Sequence, residues 1–300
     1  MNNPRPFGGI SGSTLKLIAI VTMFIDHLGA TVLRTVMNLP AVIRSEFWSD
    51  FWKTAYNYSR NIGRIAFPIF CFLIVEGFIH TRNVWKYASR MFLFALISEI
   101  PFDIALKGNW YHPMKQNVYF TLLIGLLVLI GIDAAERLCQ KCIHKLQESS
   151  GSYSPIKTGF MHILNIAASV LIIWAGMRLA AWIDTDYNFK GVFLIAVLYI
   201  VRRCGEASSC SKFCAAQANS SSGFHSTHTS SANPGSHSRL LTCFAGAMAV
   251  SWELPAPLGF IPVYLYNGTR GLRMKYFFYW FYPVHLLILH VIADYLLPAI

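Results

Sequence analysis

Long apolar stretches alternate with short polar segments along most of this chain. Most of the stretches approach the length of about 20 residues at which an α-helix crosses a bilayer. Two of them, 117–132 and 190–201, are shorter, so we expect their helices to extend further. The predicted helices cover 15–34, 61–79, 87–106, 117–132, 160–182, 190–201, 240–266 and 275–298. The pattern predicts an all-α, polytopic membrane helix bundle.

The number of crossings depends on the region 240–266, which Pro255 and Pro257 interrupt. Because proline breaks or kinks a helix, this region forms either one kinked helix or two short ones. The bundle is therefore expected to contain about eight or nine transmembrane segments. Basic residues around 82–90 and 270–275 lie in short loops. This bias is typical of cytoplasmic loops and places the N-terminus in the cytoplasm.

The composition agrees with a membrane protein in contact with the lipid bilayer. Hydrophobic residues make up 55% of the chain and charged residues only 13%, whereas a soluble domain has about 25% charged residues. The formal net charge of +11 could indicate nucleic-acid binding. Here the basic residues follow the positive-inside pattern and no nucleic-acid-binding motif is present, so we expect no nucleic-acid partner.

A Ser-rich, low-complexity segment at 205–238 interrupts what is otherwise expected to be one membrane domain over residues 1–300. Its composition predicts a disordered cytoplasmic loop that cannot bury enough apolar surface to fold alone. Its cysteines and histidines lack the close C-x2-C spacing of structural zinc sites. We therefore expect no metal site.

Ionisable residues recur inside the apolar stretches, where a central charge costs roughly 2.5–3.5 kcal/mol on insertion scales. Counting about 1.5 Å of rise per residue from the predicted cytoplasmic ends places four of them about 15–20 Å deep. This common layer consists of His27, Arg64, Glu99 and His285. Other ionisable residues within these stretches are Lys16, Asp26, Glu76, Asp103 and His290. An alignment in depth favours a shared site over scattered, tolerated polar residues.

Lys16 precedes His27 by eleven residues, about three helical turns, so both project from nearly the same face of the first helix. Lys16 is expected at the cytoplasmic mouth of a groove and His27 at its bottom. A basic mouth suits a donor that carries phosphate. Asp26 points about 100° away from His27, so the two residues are not a simple dyad.

Structural explanations remain open for each of these residues. Lys16 is able to extend its ammonium group to the lipid headgroups. Arg64 and Glu99 are able to form an internal ion pair. His285 is able to form a hydrogen bond with a backbone carbonyl only. The polar positions and their depths alone leave a transporter, an enzyme and a non-catalytic scaffold as alternatives.

Five long strings follow one another as in the TraX-like family, which this chain resembles outside the first loop, the 140–160 loop and the Ser-rich segment. They are LKLIAIVTMFIDHLG, GRIAFPIFCFLIVEGFIHTRN, FALISEIPFDIA, QNVYFTLLIGLL and LYNGTRG followed after four residues by YFFYWFYPVHLLIL. Several carry charges or proline inside apolar stretches, which makes the match specific. The family is named for a conjugation protein that acetylates the amino terminus of a pilin subunit at the bacterial inner membrane.

The family also looks related to integral-membrane acyltransferases that O-acetylate surface polysaccharides. Those enzymes carry a basic residue and a histidine separated by ten positions in the first helix, and Lys16 and His27 match that spacing. The resemblance implies a multi-pass protein of the bacterial cytoplasmic membrane that uses acetyl-CoA or another acyl-CoA as donor. The acceptor would be an amine or hydroxyl of a protein, such as a pilin, or of an envelope glycan or lipid.

The resemblance also implies residue roles. His27 would act as general base, with Asp26 or Glu99 orienting its imidazole. Lys16 and Arg82 would hold the CoA phosphates. The expected substrate-binding residues are Arg64 or Asn117, which would stabilise the oxyanion, together with Glu76 and His285.

Two other classes of function are carried as alternatives. Helix breaks at corresponding positions of two inverted halves would favour a transporter. In this sequence only the apolar region 240–266 is interrupted in this way. A scaffold predicts that His27→Ala changes no phenotype.

Overall fold

The computed structural model describes residues 9–110, 114–150, 155–218 and 236–297. Within these ranges the chain is helical, with two isolated β-bridges and no strand. The helices are α1 (Gly12–Leu28), α2 (Arg34–Met37), α3 (Pro40–Ile43), α4 (Glu46–Gly63), α5 (Ala66–Ile79), α6 (Val84–Lys107), α7 (Val118–Ser150), α8 (Pro155–Trp182), α9 (Asn188–Ala218), α10 (Ser236–Ala249), α11 (Phe260–Tyr264) and α12 (Lys275–Val291). The segments Gly29–Leu33 and Ile292–Leu296 are π-helical, and Ala256–Gly259 is a 3-10 turn. The all-α prediction is confirmed for the described residues.

Five helical segments in the described part of the chain are long and apolar enough to cross a membrane. They are Gly12–Met37, Glu46–Ile79, Val118–Glu148, Pro155–Trp182 and Tyr276–Leu296. Helix α8 leaves Ile163, Leu171 and Trp174 exposed, an apolar surface that lipid would cover. The predicted total of eight or nine segments stays a prediction.

Several element boundaries differ from the sequence expectation. Helices α7 and α9 extend beyond the short apolar stretches, as expected. The region 240–266 forms α10 and α11 separated by a 3-10 turn, so it contains two short helices. Pro255 and Pro257 lack the N–H that a continuous helix needs there.

Two segments expected to be loops are helical. The first loop contains α4, whose apolar residues occur on one side only and so give no long apolar run. Helix α9 continues to Ala218, so residues 205–218 of the predicted disordered segment are helical. Extending an existing helix adds one hydrogen bond for each residue fixed, so it costs much less free energy than starting a new helix. Residues 219–235 of that segment lie outside the described residues.

The chain divides into two compact units. Unit 1 comprises the residues up to Leu73 and those from Val197 onward, and unit 2 comprises Ile74–Ala196. The single domain expected over residues 1–300 stays a prediction.

Within unit 1, α1 packs against α4 and α12. The side chain of Ser11 caps α1 by accepting a hydrogen bond from the backbone N–H of Thr14 at 3.3 Å, which satisfies one of the free donors at a helix start. Leu15 and Ala19 of α1 are fully buried. These contacts fix the helix that carries Lys16, Asp26 and His27.

Within unit 2, α7 packs against α6 and α8. Leu126 and Leu129 of α7 and Leu194 of α9 have no exposed surface. Gly125 faces Ile195, and a Cβ at this position would overlap the isoleucine side chain. The glycine therefore allows α7 and α9 to approach closely.

Candidate functional site

His27 lies on the face of α1 that packs against α12, where it meets His285. The Nδ1 of His27 is 2.7 Å from the Nε2 of His285, and the two ring planes are inclined by 16° with centroids 4.9 Å apart. His27 is only 9% exposed and His285 3%. The ring of Tyr282 packs edge-on against both imidazoles. Two helices that are distant in sequence thus bring two buried histidines into direct contact.

The hydrogen-bond partners fix the tautomers of both rings. The Nδ1 of His285 is 2.6 Å from the carbonyl oxygen of Phe281, one helical turn earlier. A carbonyl only accepts, so the Nδ1 of His285 carries the proton. The Nε2 of neutral His285 is then an acceptor, and the Nδ1 of His27 donates to it. The lone pair of neutral His27 therefore lies on its Nε2, which is free to accept a proton.

Asp26 faces α4, about 100° around α1 from His27. Its Oδ2 accepts a hydrogen bond from the Nη1 of Arg60 at 2.5 Å. Gly63 lies against the aspartate, and a Cβ there would overlap the carboxylate. Arg60 thus engages the carboxylate of Asp26, and His285 contacts the imidazole of His27. The expectation that Asp26 or Glu99 orients His27 stays a prediction.

Arg60 was not among the expected site residues. It lies just before the predicted helix 61–79, in a segment that the apolar pattern predicts to be a loop. Asp26 itself was the available signal, since an ionised carboxylate at membrane depth needs a cation partner. Arg60 also lies within electrostatic range of His27.

We expect Arg60→Ala to destabilise the protein because it leaves the Asp26 carboxylate unpaired. The aspartate side chain is 19% exposed and that of Arg60 38%, so the loss should fall between surface and buried ion pairs, at about 1–3 kcal/mol. Thermal unfolding in detergent would measure it. Combining Arg60→Ala with Asp26→Asn should restore part of the lost stability, and a double variant less stable than either single variant would contradict this pairing.

Lys16 lies toward the other end of the same α1–α12 face. Its Nζ is 5.4 Å from the ring centroid of Phe278. Between Lys16 and His27, the rings of Phe24 and Phe281 pack edge-to-face at 6.4 Å. Lys16 and His27 therefore both contact α12, as their eleven-residue spacing predicts.

Arg64 is engaged by other protein groups of unit 1. Its Nε is 3.2 Å from the Oε1 of Glu253, and its Nη1 donates to the carbonyl of Leu254 at 3.0 Å. Arg64 therefore has Glu253 as a carboxylate partner. These contacts tie the turn between α4 and α5 to the segment that precedes the 3-10 turn.

The remaining predicted residues lie in unit 2. The Oε2 of Glu99 accepts from the backbone N–H of Asn117 at 3.2 Å and also from its side-chain amide. That amide donates in addition to the carbonyl of Ala95 at 2.8 Å. Asn117 thereby joins the start of α7 to α6. The predicted layer stays a prediction for Glu99, because His27 lies in the other unit.

Glu76 and Arg82 lie near the end of α5 and in the turn that follows. Glu76 is buried, and its Oε2 is 3.4 Å from the Nε2 of His80. Arg82 is exposed. The predicted roles of these two residues in substrate and CoA binding stay predictions.

The family and sequence comparisons agree with the resemblance seen in the sequence. A family model described as TraX protein matches residues 11–293. A probable fimbrial assembly protein FimC, serogroup H1, from Dichelobacter nodosus is 34% identical over 128 residues. That match covers 40% of this chain and 46% of the relative, so it spans less than half the length of the relative. No solved structure matches the chain.

Proposed function

Because this chain belongs to the TraX protein family, we propose that it is a membrane acyltransferase that uses acetyl-CoA or another acyl-CoA. The acceptor would be an amine or hydroxyl of a cell-envelope molecule. The observation that supports this most is the buried His27–His285 pair, in which the Nε2 of His27 carries the free lone pair. A general base needs a lone pair of this kind on the nitrogen that faces the acceptor.

The proposed reaction is a single acyl transfer. The Nε2 of His27 removes the proton from the acceptor as its nitrogen or oxygen attacks the thioester carbonyl carbon. The tetrahedral intermediate then collapses, the C–S bond breaks, and the CoA thiolate leaves. The proton held on His27 passes to the thiolate, so the histidine returns to its neutral state and the product CoA is a thiol.

His285 would act as a positioning residue in this reaction. It holds the imidazole of His27 through one hydrogen bond and is itself held by the Phe281 carbonyl. When His27 becomes an imidazolium, its Nδ1–H still donates to His285, and a hydrogen bond from a charged donor is stronger than a neutral one. The pair thus favours the charged state that develops during transfer.

The proposed acceptor is a pilin-type subunit with a free amino terminus. The family resemblance implies this acceptor, and the printed name of the Dichelobacter relative, a probable fimbrial assembly protein, agrees with it. An envelope glycan with free hydroxyls is the second acceptor class that the resemblance implies. We place the protein in the bacterial cytoplasmic membrane, with its basic loops in the cytoplasm, where CoA is found.

Transfer of a labelled acetyl group tests this proposal. Purified full-length protein in liposomes would receive acetyl-CoA labelled in the acetyl group, together with membranes of a strain that produces fimbriae. We expect label in the protein fraction at the fimbrial subunit, or in the glycan fraction if the acceptor is a sugar. Label in neither fraction above that of empty liposomes would contradict acetyl transfer and leave a non-catalytic assembly role.

A further inference from the structure

The loop Tyr266–Met274, called here the 266–274 loop, is fastened to the start of α1. The backbone N–H groups of Gly12 and Ser13 donate to the carbonyls of Thr269 and Arg270 at 2.7 and 3.1 Å. In return, the Ser13 hydroxyl accepts from the backbone N–H of Leu272 at 3.0 Å. These bonds hold the loop about one turn from Lys16.

Gly271 is required at this junction for two reasons. Its φ of +69° lies in the left-handed region, which costs a non-glycine residue about 1–2 kcal/mol. A Cβ there would also overlap the hydroxyl of Ser13 and approach that of Ser11. The loop is therefore built to lie closely on α1 and to hold the backbone of Arg270 in place.

Three cations lie at this loop, namely Lys16 of α1, Arg239 of α10 and Arg270 of the loop itself. Arg270 lies within electrostatic range of Lys16, which is half-buried. Arg239 of α10 donates through its Nη1 to the carbonyl of Tyr266 at 3.0 Å. The Nε of Arg239 is buried without an acceptor. Among the residues that the structure describes, none of these three cations forms an ion pair with a carboxylate.

An anionic ligand at this loop would offset the repulsion between these cations. Lys16 and Arg239 are half-buried and Arg270 is exposed, and like charges repel one another more strongly where water is partly excluded. Guanidinium and ammonium groups together provide the donors that phosphate oxygens accept. A neutral ligand bound by the same cations would not offset the repulsion between them.

The distance of these cations from His27 indicates which kind of phosphate ligand fits. Lys16 and His27 are eleven residues apart on one face of α1, which corresponds to about 16 Å along the helix. The ligand must therefore hold its phosphates at one end and its reacting carbonyl well away from them. CoA thioesters have this form, because an extended pantetheine arm separates the thioester from the nucleotide phosphates.

We propose that Lys16, Arg239 and Arg270, held together by the 266–274 loop, bind the phosphates of the CoA donor. This inference rests on the proposed acyl transfer, and it assigns to the donor two arginines that the sequence did not single out. An anionic phospholipid headgroup presents the same chemistry and is the alternative source of the phosphate. Arg82 lies in the other unit, and its predicted part in CoA binding stays a prediction.

Binding of CoA itself, without an acyl group, tests the inference independently of transfer. The full-length His27→Ala protein in phosphatidylcholine nanodiscs would be titrated with labelled CoA. Arg239→Gln and Arg270→Gln, introduced into the same protein, should each weaken CoA binding by about 10-fold or more, because each removes a charge-assisted contact. Lys53→Gln is the matched control, since Lys53 is an exposed cation of α4, and it should leave binding unchanged.

A charge-preserving variant and nanodiscs that contain an anionic lipid distinguish the remaining explanations. Arg270→Lys should keep most of the affinity, which separates loss of charge from loss of the loop fold. Unchanged CoA affinity in both glutamine variants would overturn the inference, even if the enzyme transfers acetyl groups. A second result would also overturn the inference. In it, nanodiscs that contain phosphatidylglycerol abolish CoA binding, and the glutamine variants lose affinity for the lipid but not for CoA. CoA binding that depends on the arginines in a protein without transferase activity would instead support the site and contradict the proposed function.

Discussion

His27→Ala is expected to slow acyl transfer by about 10²–10⁴-fold, the range that general base catalysis contributes. The substitution removes the Nε2 that accepts the acceptor's proton, and it leaves the phosphate-binding cations in place. Transfer of labelled acetyl at saturating acetyl-CoA would measure the loss. The apparent KM for the donor should change little, because the imidazole acts on the acceptor.

His290→Ala is the matched control for this variant. His290 also lies on α12, but its Nδ1 is 3.1 Å from the Oδ2 of Asp294 and has no assigned part in transfer. We expect the control to retain transfer close to the wild-type rate at equal abundance in the membrane. If the His27→Ala protein also retained that rate, the general base would be a different residue.

His285→Ala is expected to slow transfer by about 10- to 150-fold. It removes the acceptor for the Nδ1–H of His27, and a hydrogen bond to a charged group contributes about 1.5–3 kcal/mol, with a factor of ten for each 1.4 kcal/mol. The decrease should be in kcat, because His285 as a positioning residue acts through His27; a decrease confined to KM would instead indicate the substrate-binding role expected from the sequence. The measurement is the same transfer assay over a range of acetyl-CoA concentrations.

Two further substitutions at His285 distinguish positioning from packing. His285→Gln offers a side-chain oxygen as acceptor and should recover part of the lost rate. His285→Phe keeps an aromatic ring next to Phe281, whose ring stacks on His285 at 4.8 Å, but offers no acceptor. Recovery in the phenylalanine variant and not in the glutamine variant would show that His285 only fills space.

The sequence predicted the features that depend on local pattern. Apolar stretches located most of the long helices, and the eleven-residue spacing placed Lys16 and His27 on a common face. The 100° angle between neighbouring residues on a helix also separated Asp26 from His27. Each of these follows from helix geometry alone.

The partners of the site residues depend on tertiary packing and could not be read from the sequence. The contact between His27 and His285 joins positions 258 residues apart, and depth along a helix does not determine which faces meet. Arg60 was missed because α4 is amphipathic and lacks the long apolar run that marks a spanning helix. The pairing of Arg64 with Glu253, which lies in the broken region, likewise depends on packing.

Single-turnover acetyl transfer by wild type, His27→Ala, His285→Ala and the double variant tests most directly whether the histidine pair is the catalytic base. If His285 acts through His27, its loss has no further effect once His27 is absent. We expect the double variant to transfer at the rate of His27→Ala. Losses that multiply in the double variant, or transfer undiminished by His27→Ala, would contradict the role assigned to the pair.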